Sequence, residues 1–245
     1  QPEILAVSEY MRREILDTYR IDPARVHLVP NGVDLETFSP EARARIRTDA
    51  RAEFGIPDGA VCILMVAHNY RLKGVRIGMG QVKRLREEGI DAHLLVAGRG
   101  TGAFQRRRAR GWASRLGITE ACHLPGAVRP VMQADAAADV FLHPAWHDAI
   151  ANVVLEAMAA GLPPLTSPWV GAGMFLGEGR AGFVVDPSDT GTLHRRLREL
   201  ADPSAAARMG AEARRIIEDY GEDAAFARVE EVCRIAADRQ DGPIR

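Results

Sequence analysis

The chain has 245 residues, of which 47% are hydrophobic and 27% charged, and its formal net charge is −1. These values predict a globular chain with a sizeable core, and they exclude the strongly basic surface of a nucleic-acid-binding protein. No run approaches the ~18 consecutive apolar residues of a membrane span. The three cysteines lack CxxC spacing, which argues against both a disulfide framework and a zinc site, and we therefore expect a reduced, cytoplasmic protein.

Short apolar runs alternate with longer helical patterns along the chain. The predicted strands are 4–7, 26–29, 61–66, 93–97, 121–124, 140–142, 164–166 and 183–185. The predicted helices between them are 9–18, 42–54, 75–88, 103–116, 130–138, 152–160 and 192–200. The alternation of strands with helices predicts an α/β fold with one Rossmann-like, doubly wound parallel sheet.

The segment from Ser188 to Asp238 has a helical pattern, which Pro203 and Gly221 divide into about three helices. We therefore expect residues 1–245 to form one domain, with a core over about 22–202 and a helical tail over 203–245. In such sheets ligands bind beyond the carboxyl ends of the strands. The loops that follow strands are therefore the candidate sites.

The loop after the predicted strand 61–66 contains Arg71 and Lys73 and leads through Gly74 into a helix. Two cations at a helix N-terminus oppose the helix dipole, and they become favourable if an anion lies between them and the helix amides. An ordinary basic loop is an equally supported alternative.

Asp148 and Glu156 flank the start of the predicted helix 152–160. The residues just before the helix are small, so its free amides can face a pyrophosphate. Glu156 lies on an otherwise apolar helix, where an unpaired carboxylate is costly to bury and ribose hydroxyls would supply donors. A solvated glutamate on an exposed helix face is the alternative. The glycines of 98–102 lack GxGxxG spacing and are compatible with a simple tight turn.

Together these residues form five blocks that resemble, in the same order, the C-terminal donor-binding domain of family 4 (group 1) retaining glycosyltransferases of the GT-B fold. The blocks are Val29-Pro30-Asn31-Gly32-Val33-Asp34, Arg71-Leu72-Lys73-Gly74, Val96-Ala97-Gly98-Arg99-Gly100, Asp148 with Asn152 to Pro163, and Gly182 to Pro187. The fourth block corresponds to the family's E-x7-E motif and is the most specific. The resemblance covers about residues 4–220 and is closest to lipopolysaccharide-core glucosyltransferases.

The resemblance implies a role for each matched residue. Lys73, helped by Arg71, would hold the donor diphosphate and stabilise it as a leaving group. Asp148 would hydrogen-bond the donor sugar, and Glu156 would bind the ribose. The other implied donor-binding residues are Gly32, Asn69, Asn152, Ala149, Ile150 and Ala151, the last three through amides at the phosphates, and Ala127, Val128 and Arg129 beside the base.

The resemblance also implies a reaction. A hexose would pass from a nucleotide, UDP by family resemblance, to a glycan, lipid or lipopolysaccharide acceptor with retention of configuration. The departing diphosphate would help to deprotonate the acceptor, and no metal or other cofactor would take part. A sugar-nucleotide epimerase of the same fold and a non-catalytic binding domain remain the alternatives.

The sequence departs from the family pattern at three places. Asp148 stands where the motif has Glu, and Ala149-Ile150-Ala151 replaces the usual Gly-Phe-Gly. Ala67 and His68 stand where an Arg often precedes the Lys-Gly pair.

A complete GT-B enzyme also has an N-terminal domain with the acceptor site, which this chain lacks. We therefore expect the donor half of a longer protein, inactive or weak in isolation, with 222–237 as the helix that returns to the missing domain. Any peripheral membrane association would occur through that missing domain.

Overall fold

The computed structural model describes residues 2–98, 100 and 102–240. The strands are β1 Ile4–Ala6, β2 Val26–Leu28, β3 Val61–Val66, β4 Ala92–Ala97, β5 Cys122–Gly126, β6 Val140–His143, β7 Pro164–Thr166 and β8 Phe183–Val184. The helices are α1 Glu9–Thr18, α2 Pro40–Phe54, α3 Val75–Glu87, α4 Ala103–Leu116, α5 Met132–Ala137, α6 Asn152–Ala159, α7 Thr190–Leu200, α8 Pro203–Ile217 and α9 Glu222–Gln240. Every predicted element is present, with ends within about two residues of the prediction. Arg99 and Thr101 of the predicted glycine loop lie outside the described residues.

Six strands form one parallel sheet in the order β5-β4-β3-β6-β7-β8. In the register, Ile63 of β3 lies opposite Leu94 of β4 on one side and Val140 of β6 on the other. The chain winds outwards from β3 in one direction and from β6 in the other. The β3–β6 pair is therefore the switch point, where ligands bind beyond the carboxyl ends of the strands.

Helices cover both faces of this sheet, which confirms the doubly wound architecture. On β3, Cys62 and Leu64 pack on the face covered by α2, α5, α6 and α8. Ile63 and Met65 pack on the opposite face, beneath α3, α4 and α7. The strand is apolar at successive positions because both of its faces are buried.

The helices differ in how their N-termini are satisfied. The side chains of Ser8, Ser39, Asp189 and Asp202 cap α1, α2, α7 and α8. Among the described residues, no side chain caps α3, α4, α5 or α6, and of these α3 and α6 follow the two switch-point strands. Uncapped amides at the carboxyl edge of a sheet are suited to an anion.

Three arginines of α2, Arg43, Arg47 and Arg51, lie at the amino edge of the sheet and are called the amino-edge arginines below. They donate to carbonyl oxygens of residues 135–138, at the end of α5. Arg47 and Arg51 also pair with the carboxylate of Asp139, which precedes β6. They line a cavity of about 480 Å³. Their donors are used within the fold, so these arginines join α2 to the sheet.

The strands β1 and β2 form a separate two-stranded parallel sheet, in which Leu5 lies opposite His27. The sheet is tied to α9, because Glu3 accepts hydrogen bonds from both Arg25 and Arg239. A groove of about 300 Å³ runs between this sheet and α9. Phe226, on its wall, is 67% exposed. Within the described residues, none of the helices combines the length and the apolar character needed to cross a membrane.

Candidate functional site

Lys73 and Asp148 meet beyond the carboxyl ends of β3 and β6. Lys73 lies in the loop after β3, and its Nζ donates to Oδ2 of Asp148, in the loop after β6. The two side chains are 19% and 20% exposed. The switch point thus holds a partly buried ion pair that solvent or a ligand can still reach.

Asp148 has two further donors. Nε2 of His143, the last residue of β6, lies 3.0 Å from its Oδ2, and the amide of Ala151 lies 3.0 Å from its Oδ1. Burial alone would raise the pKa of Asp148, but the hydrogen bonds from His143 and Lys73 hold it well below its usual range. Asp148 is therefore a carboxylate at every physiological pH.

His143 is a neutral donor in this arrangement. Its side chain is 1% exposed, and burial lowers its pKa below the ordinary value despite the neighbouring carboxylate. A carboxylate only accepts hydrogen bonds, so Nε2 carries the proton that points to Asp148. The imidazole thus fixes the carboxylate without adding a charge to the site.

The backbone around Asp148 is held on both sides. Its amide donates to the carbonyl of Trp169 at 2.9 Å, and its carbonyl accepts from the amide of Gly171 at 3.0 Å. A Cβ at Gly171 would overlap the carbonyl oxygen of Ala149 and the hydroxyl of Ser8. Ser8 is fully buried, accepts from the amide of Met11 and donates to that same carbonyl at 2.5 Å. The Asp148 loop is therefore packed tightly against the start of α1.

Glu156 lies in the second turn of α6, and its carboxylate has no hydrogen-bond partner among the described residues. Burial raises its pKa above the ordinary value. Asp135 of α5 is completely buried near it, and its Oδ2 has no partner in the described structure. Burial first, and then the charge of Glu156, raise the pKa of Asp135 to about 8. The site thus contains one half-buried acceptor without a donor and one neutral carboxylic acid behind it.

Residues 149–151 enter α6 with an unusual backbone. Ala151 has φ = 62°, a left-handed conformation that costs a non-glycine residue roughly 1 kcal/mol. The amide of Ala151 is used by Asp148, so an anion would reach it only if that hydrogen bond were exchanged. Ile150 is 6% exposed. Asn152, the first residue of α6, accepts from the side chain of Asn31 at 2.8 Å.

The structure separates Arg71 from Lys73. Oδ1 of Asn69 accepts from the amides of Arg71 and Leu72, and these hydrogen bonds hold residues 69–72 in a tight turn. Lys73 points to Asp148, whereas Arg71 lines a cavity on the α3–α4 face of the sheet. The described structure contains no contact between the two cations, so a shared role in holding a diphosphate stays a prediction.

The remaining predicted residues lie around this edge or next to it. Ala127 and Arg129 are exposed just after β5, and Val128 between them is partly buried against the core. Gly32 packs against the start of α9, where a Cβ would lie 2.6 Å from the Cα of Glu222. Packing therefore accounts for the glycine at position 32.

Sequence reasoning did not identify His143 or Asp135 as site residues. The available signal for His143 was its place at the carboxyl end of a strand, five residues before Asp148. Asp135 gave no comparable signal, because its burial depends on how α5 packs. Within the described residues, no cluster of three or more His, Cys, Asp or Glu side chains is arranged to hold a metal ion. The absence of a metal from the reaction stays a prediction.

Comparisons with known proteins place this geometry in a family. Residues 60–202 match the family described as glycosyl transferases group 1, and residues 2–37 match the one described as Glycosyltransferase Family 4. The first match covers more than half of the 245 residues.

Individual relatives agree with this assignment. A D-inositol 3-phosphate glycosyltransferase from Streptomyces scabiei is 32% identical over 228 residues, which cover 89% of this chain and 50% of that protein. The lipopolysaccharide glucosyltransferase WaaG of Escherichia coli is 29% identical over 182 residues, covering 74% of this chain and 48% of that protein. The chain thus spans about half the length of the curated relatives it matches.

Solved structures share the fold. The Anabaena protein HepE, crystallised with UDP and glucose, has a TM-score of 0.81 at 16% identity, covering 96% of this chain and 63% of that one. A glycosyltransferase from Rickettsia africae has a TM-score of 0.86, also at 16% identity, covering 94% and 62%. On the strength of the family match, the chain belongs to the group 1 glycosyltransferases.

Proposed function

We propose that this chain is the donor-binding part of a retaining glycosyltransferase that takes a UDP-hexose. The observation that carries the proposal is the switch-point arrangement of Lys73, Asp148 and His143, with Glu156 eight residues after Asp148, in the second turn of α6. It provides one cation for a diphosphate, one fixed carboxylate for a sugar and one free acceptor for a ribose.

Lys73 acts on the leaving group. Its ammonium is paired with Asp148 in the free chain. A bound diphosphate brings two negative charges beside it, and the ammonium then bridges carboxylate and phosphate. Because the negative charge on the diphosphate increases as the glycosidic bond breaks, this cation stabilises the transition state more than the bound substrate.

Asp148 positions the sugar. Donors from His143 and Ala151 hold its carboxylate in one orientation even when Lys73 is shared with a phosphate. The oxygen lone pairs that remain accept from sugar hydroxyls. A shorter Asp in place of the family's Glu is thereby compensated by a side chain that the surrounding donors keep in place.

Glu156 binds the ribose. A half-buried carboxylate without a donor is unfavourable, and two adjacent hydroxyl groups satisfy it. Retention of configuration follows if the departing diphosphate takes the proton of the acceptor hydroxyl on the same face of the sugar.

The acceptor site belongs to a further domain in this proposal. Support comes from the relatives, whose length is about twice that of the matched region, and from the exposed apolar side chains of Leu5, Leu28 and Phe226. These side chains lie on the β1–β2 sheet and α9 and are suited to contact with that domain. The similarity to a D-inositol 3-phosphate glycosyltransferase and to a lipopolysaccharide glucosyltransferase supports D-inositol 3-phosphate or lipopolysaccharide as acceptor classes.

Calorimetric titration of the chain with UDP and UDP-glucose tests the proposal. We expect saturable binding of both, lost in Lys73→Ala and weakened in Glu156→Gln. The matched control is Lys83→Ala, because Lys83 is the only other lysine of the sequence and pairs with Glu87 on the surface of α3. Absence of heat from either nucleotide, or an equal loss in Lys83→Ala, contradicts the proposal.

A further inference from the structure

A second cavity, of about 490 Å³, lies on the α3–α4 face of the sheet beside the loop that carries Lys73. Its walls are the loop after β3, the first turn of α3, the part of α4 from Phe104 to Trp112 and the loop after β6. Glu156 and the other residues of α6 lie on the opposite face of the sheet. The cavity is therefore separate from the site that the proposed function assigns to the donor.

Every charged residue that lines this cavity is an arginine. They are Arg71, Arg76 and Arg108, called the carboxyl-edge arginines below. Among the residues that the structure describes, no aspartate or glutamate lines the cavity. Within the described part of the chain, none of the three side chains makes a hydrogen bond or an ion pair, and they are exposed to solvent. Three unneutralised guanidinium groups around one concavity attract an anion.

Trp112 holds two of these groups in place. The Cζ atoms of Arg76 and Arg108 lie 5.8 and 5.2 Å from the centre of its ring. Cation–π contacts orient a guanidinium without neutralising its charge or using its hydrogen-bond donors. The two arginines are thus pre-oriented for a phosphate or carboxylate.

Two aromatic rings at the rim complete the cavity. Phe104 is 75% exposed and Trp146 is 44% exposed, which is unusual for side chains of this size. Trp146 stacks on Trp169, with ring centres 5.5 Å apart, and this contact fixes its orientation. Rings held at the rim of a polar cavity present apolar faces against which the C–H face of a sugar ring can pack.

We propose that this cavity binds an anionic saccharide, with its phosphate or carboxylate on the carboxyl-edge arginines and a sugar ring against Trp146 and Phe104. The site goes beyond donor binding, since it uses none of the residues assigned to the donor except Arg71. Its occupancy bears on the loops that carry Lys73 and Asp148, because the amide of Trp146 donates to the carbonyl of Leu72 at 2.9 Å.

Tryptophan fluorescence measures binding directly. The chain has three tryptophans, two lining the cavity and the third stacked on one of those two. The full chain is titrated with glucose 6-phosphate, and separately with glucose and with inorganic phosphate as the neutral and the non-saccharide probes. Each titration is repeated in the presence of saturating UDP.

We expect a saturable change with glucose 6-phosphate, and affinities at least about tenfold lower for glucose and for phosphate. The double variant Arg76→Gln/Arg108→Gln should weaken glucose 6-phosphate binding by at least about tenfold, because two charge-assisted contacts are lost. The matched control is Arg107→Gln/Arg115→Gln, which removes the same charge from residues of α4 that do not line the cavity. It should leave the affinity unchanged.

Three results overturn the proposal. One is equal binding in the wild type and in Arg76→Gln/Arg108→Gln. Another is inorganic phosphate binding as tightly as glucose 6-phosphate, which would indicate an anion patch without a saccharide site. The third is competition by UDP, which would make the cavity part of the donor site. None of them affects the Lys73→Ala test of the proposed function, which is read from UDP binding alone.

A membrane surface is the competing occupant. Vesicles of phosphatidylglycerol are therefore added to the wild type and to Arg76→Gln/Arg108→Gln. Binding of vesicles that the variant abolishes, without any response to glucose 6-phosphate, overturns the proposal. We expect neither protein to bind them through this cavity, since a concave site of this volume encloses a small ligand better than a flat surface.

Discussion

Two groups of three arginines lie at opposite edges of the same sheet and differ in what they contact. The amino-edge arginines donate to carbonyl oxygens and to Asp139, so their charge is used inside the fold. The side chains of the carboxyl-edge arginines make no hydrogen bond or ion pair within the described structure, and two of them lie over an aromatic ring. The same residue type is thus structural at one edge and available to a ligand at the other, and its hydrogen-bond partners distinguish the two.

The structural role of the amino-edge arginines is tested most directly at Arg51. This residue is 5% exposed and donates to four acceptors, among them the carbonyls of Pro57 and Ala60. We expect Arg51→Ala to lower the free energy of unfolding by about 3 kcal/mol, because several buried acceptors lose their donor. Urea denaturation measures the free energy of unfolding of the variant and of the wild type. Arg76→Ala is the control and should change stability by less than about 0.5 kcal/mol. Similar losses of unfolding free energy in Arg51→Ala and Arg76→Ala would contradict the difference between the two groups of arginines.

Two carboxylates near the amino-edge arginines, Asp135 and Asp139, differ in the same way in whether they have partners. Asp139 is paired with two arginines, whereas Asp135, four positions earlier, is buried without a partner for its Oδ2. The pKa of Asp135 is raised from 3.8 to about 8, so the folded state favours its neutral form. The contribution of the Asp135 carboxyl to the free energy of unfolding is therefore fully present below about pH 4, and it is lost as the pH rises towards 8.

We therefore expect Asp135→Asn to be more stable than the wild type at pH 8, by on the order of 2 kcal/mol, with the gain disappearing towards pH 4. Thermal unfolding at several pH values checks this. Asp139→Asn should destabilise the chain at pH 8, because the negative charge between two arginines is lost and one of the two oxygens that accept from them and from the Cys62 amide becomes an NH2 group. A stabilisation of the same sign in both variants would contradict the assignment.

Lys73 should have an intermediate effect on stability. Asp148 keeps the donors from His143 and Ala151 when the lysine is replaced. We expect Lys73→Gln to cost about 1 kcal/mol, between the values for a surface pair and a buried one. Urea denaturation compares the free energy of unfolding of this variant with that of Lys83→Gln, which removes a surface ion pair. A loss as large as that of Arg51→Ala would assign Lys73 a structural role rather than a binding one.

The smallest effect is expected where the arginines have no partner. Arg76→Gln/Arg108→Gln should unfold within about 0.5 kcal/mol of the wild type. Reduced mutual repulsion offsets the loss of the contacts with Trp112. Differential scanning calorimetry of the two proteins measures the difference. A loss above ~1.5 kcal/mol would show that these arginines, like those of α2, are needed for folding.

The order of strands and helices and the identity of the site loops were predictable from local pattern. Lys73, Asp148 and Glu156 follow strands or begin a helix, and a parallel sheet brings such loops to one edge. The directions of the Arg71 and Lys73 side chains depend on tertiary contacts, and their shared role at a diphosphate stays a prediction. Arg71 lines the cavity on the α3–α4 face, whereas Lys73, two positions later, pairs with Asp148.

The separate β1–β2 sheet was unpredictable for a similar reason. An apolar strand does not record which strand it pairs with, so Ile4–Ala6 and Val26–Leu28 have the same pattern as strands of the main sheet. The role of His143 required knowing that its side chain is buried beside a carboxylate. Such facts come from packing between distant parts of the chain.

The two hydrogen bonds of Ser8 have a consequence for recombining this chain with its relatives. One hydroxyl both starts α1, in the region matched by Glycosyltransferase Family 4, and holds the Ala149 loop in the group 1 region. A chimera joined between residues 37 and 60 would pair a Ser8 and a Gly171 from different parents. Crossovers placed before Ser8 keep these two residues and Ala149 from one parent, and chimeras joined there should fold more stably.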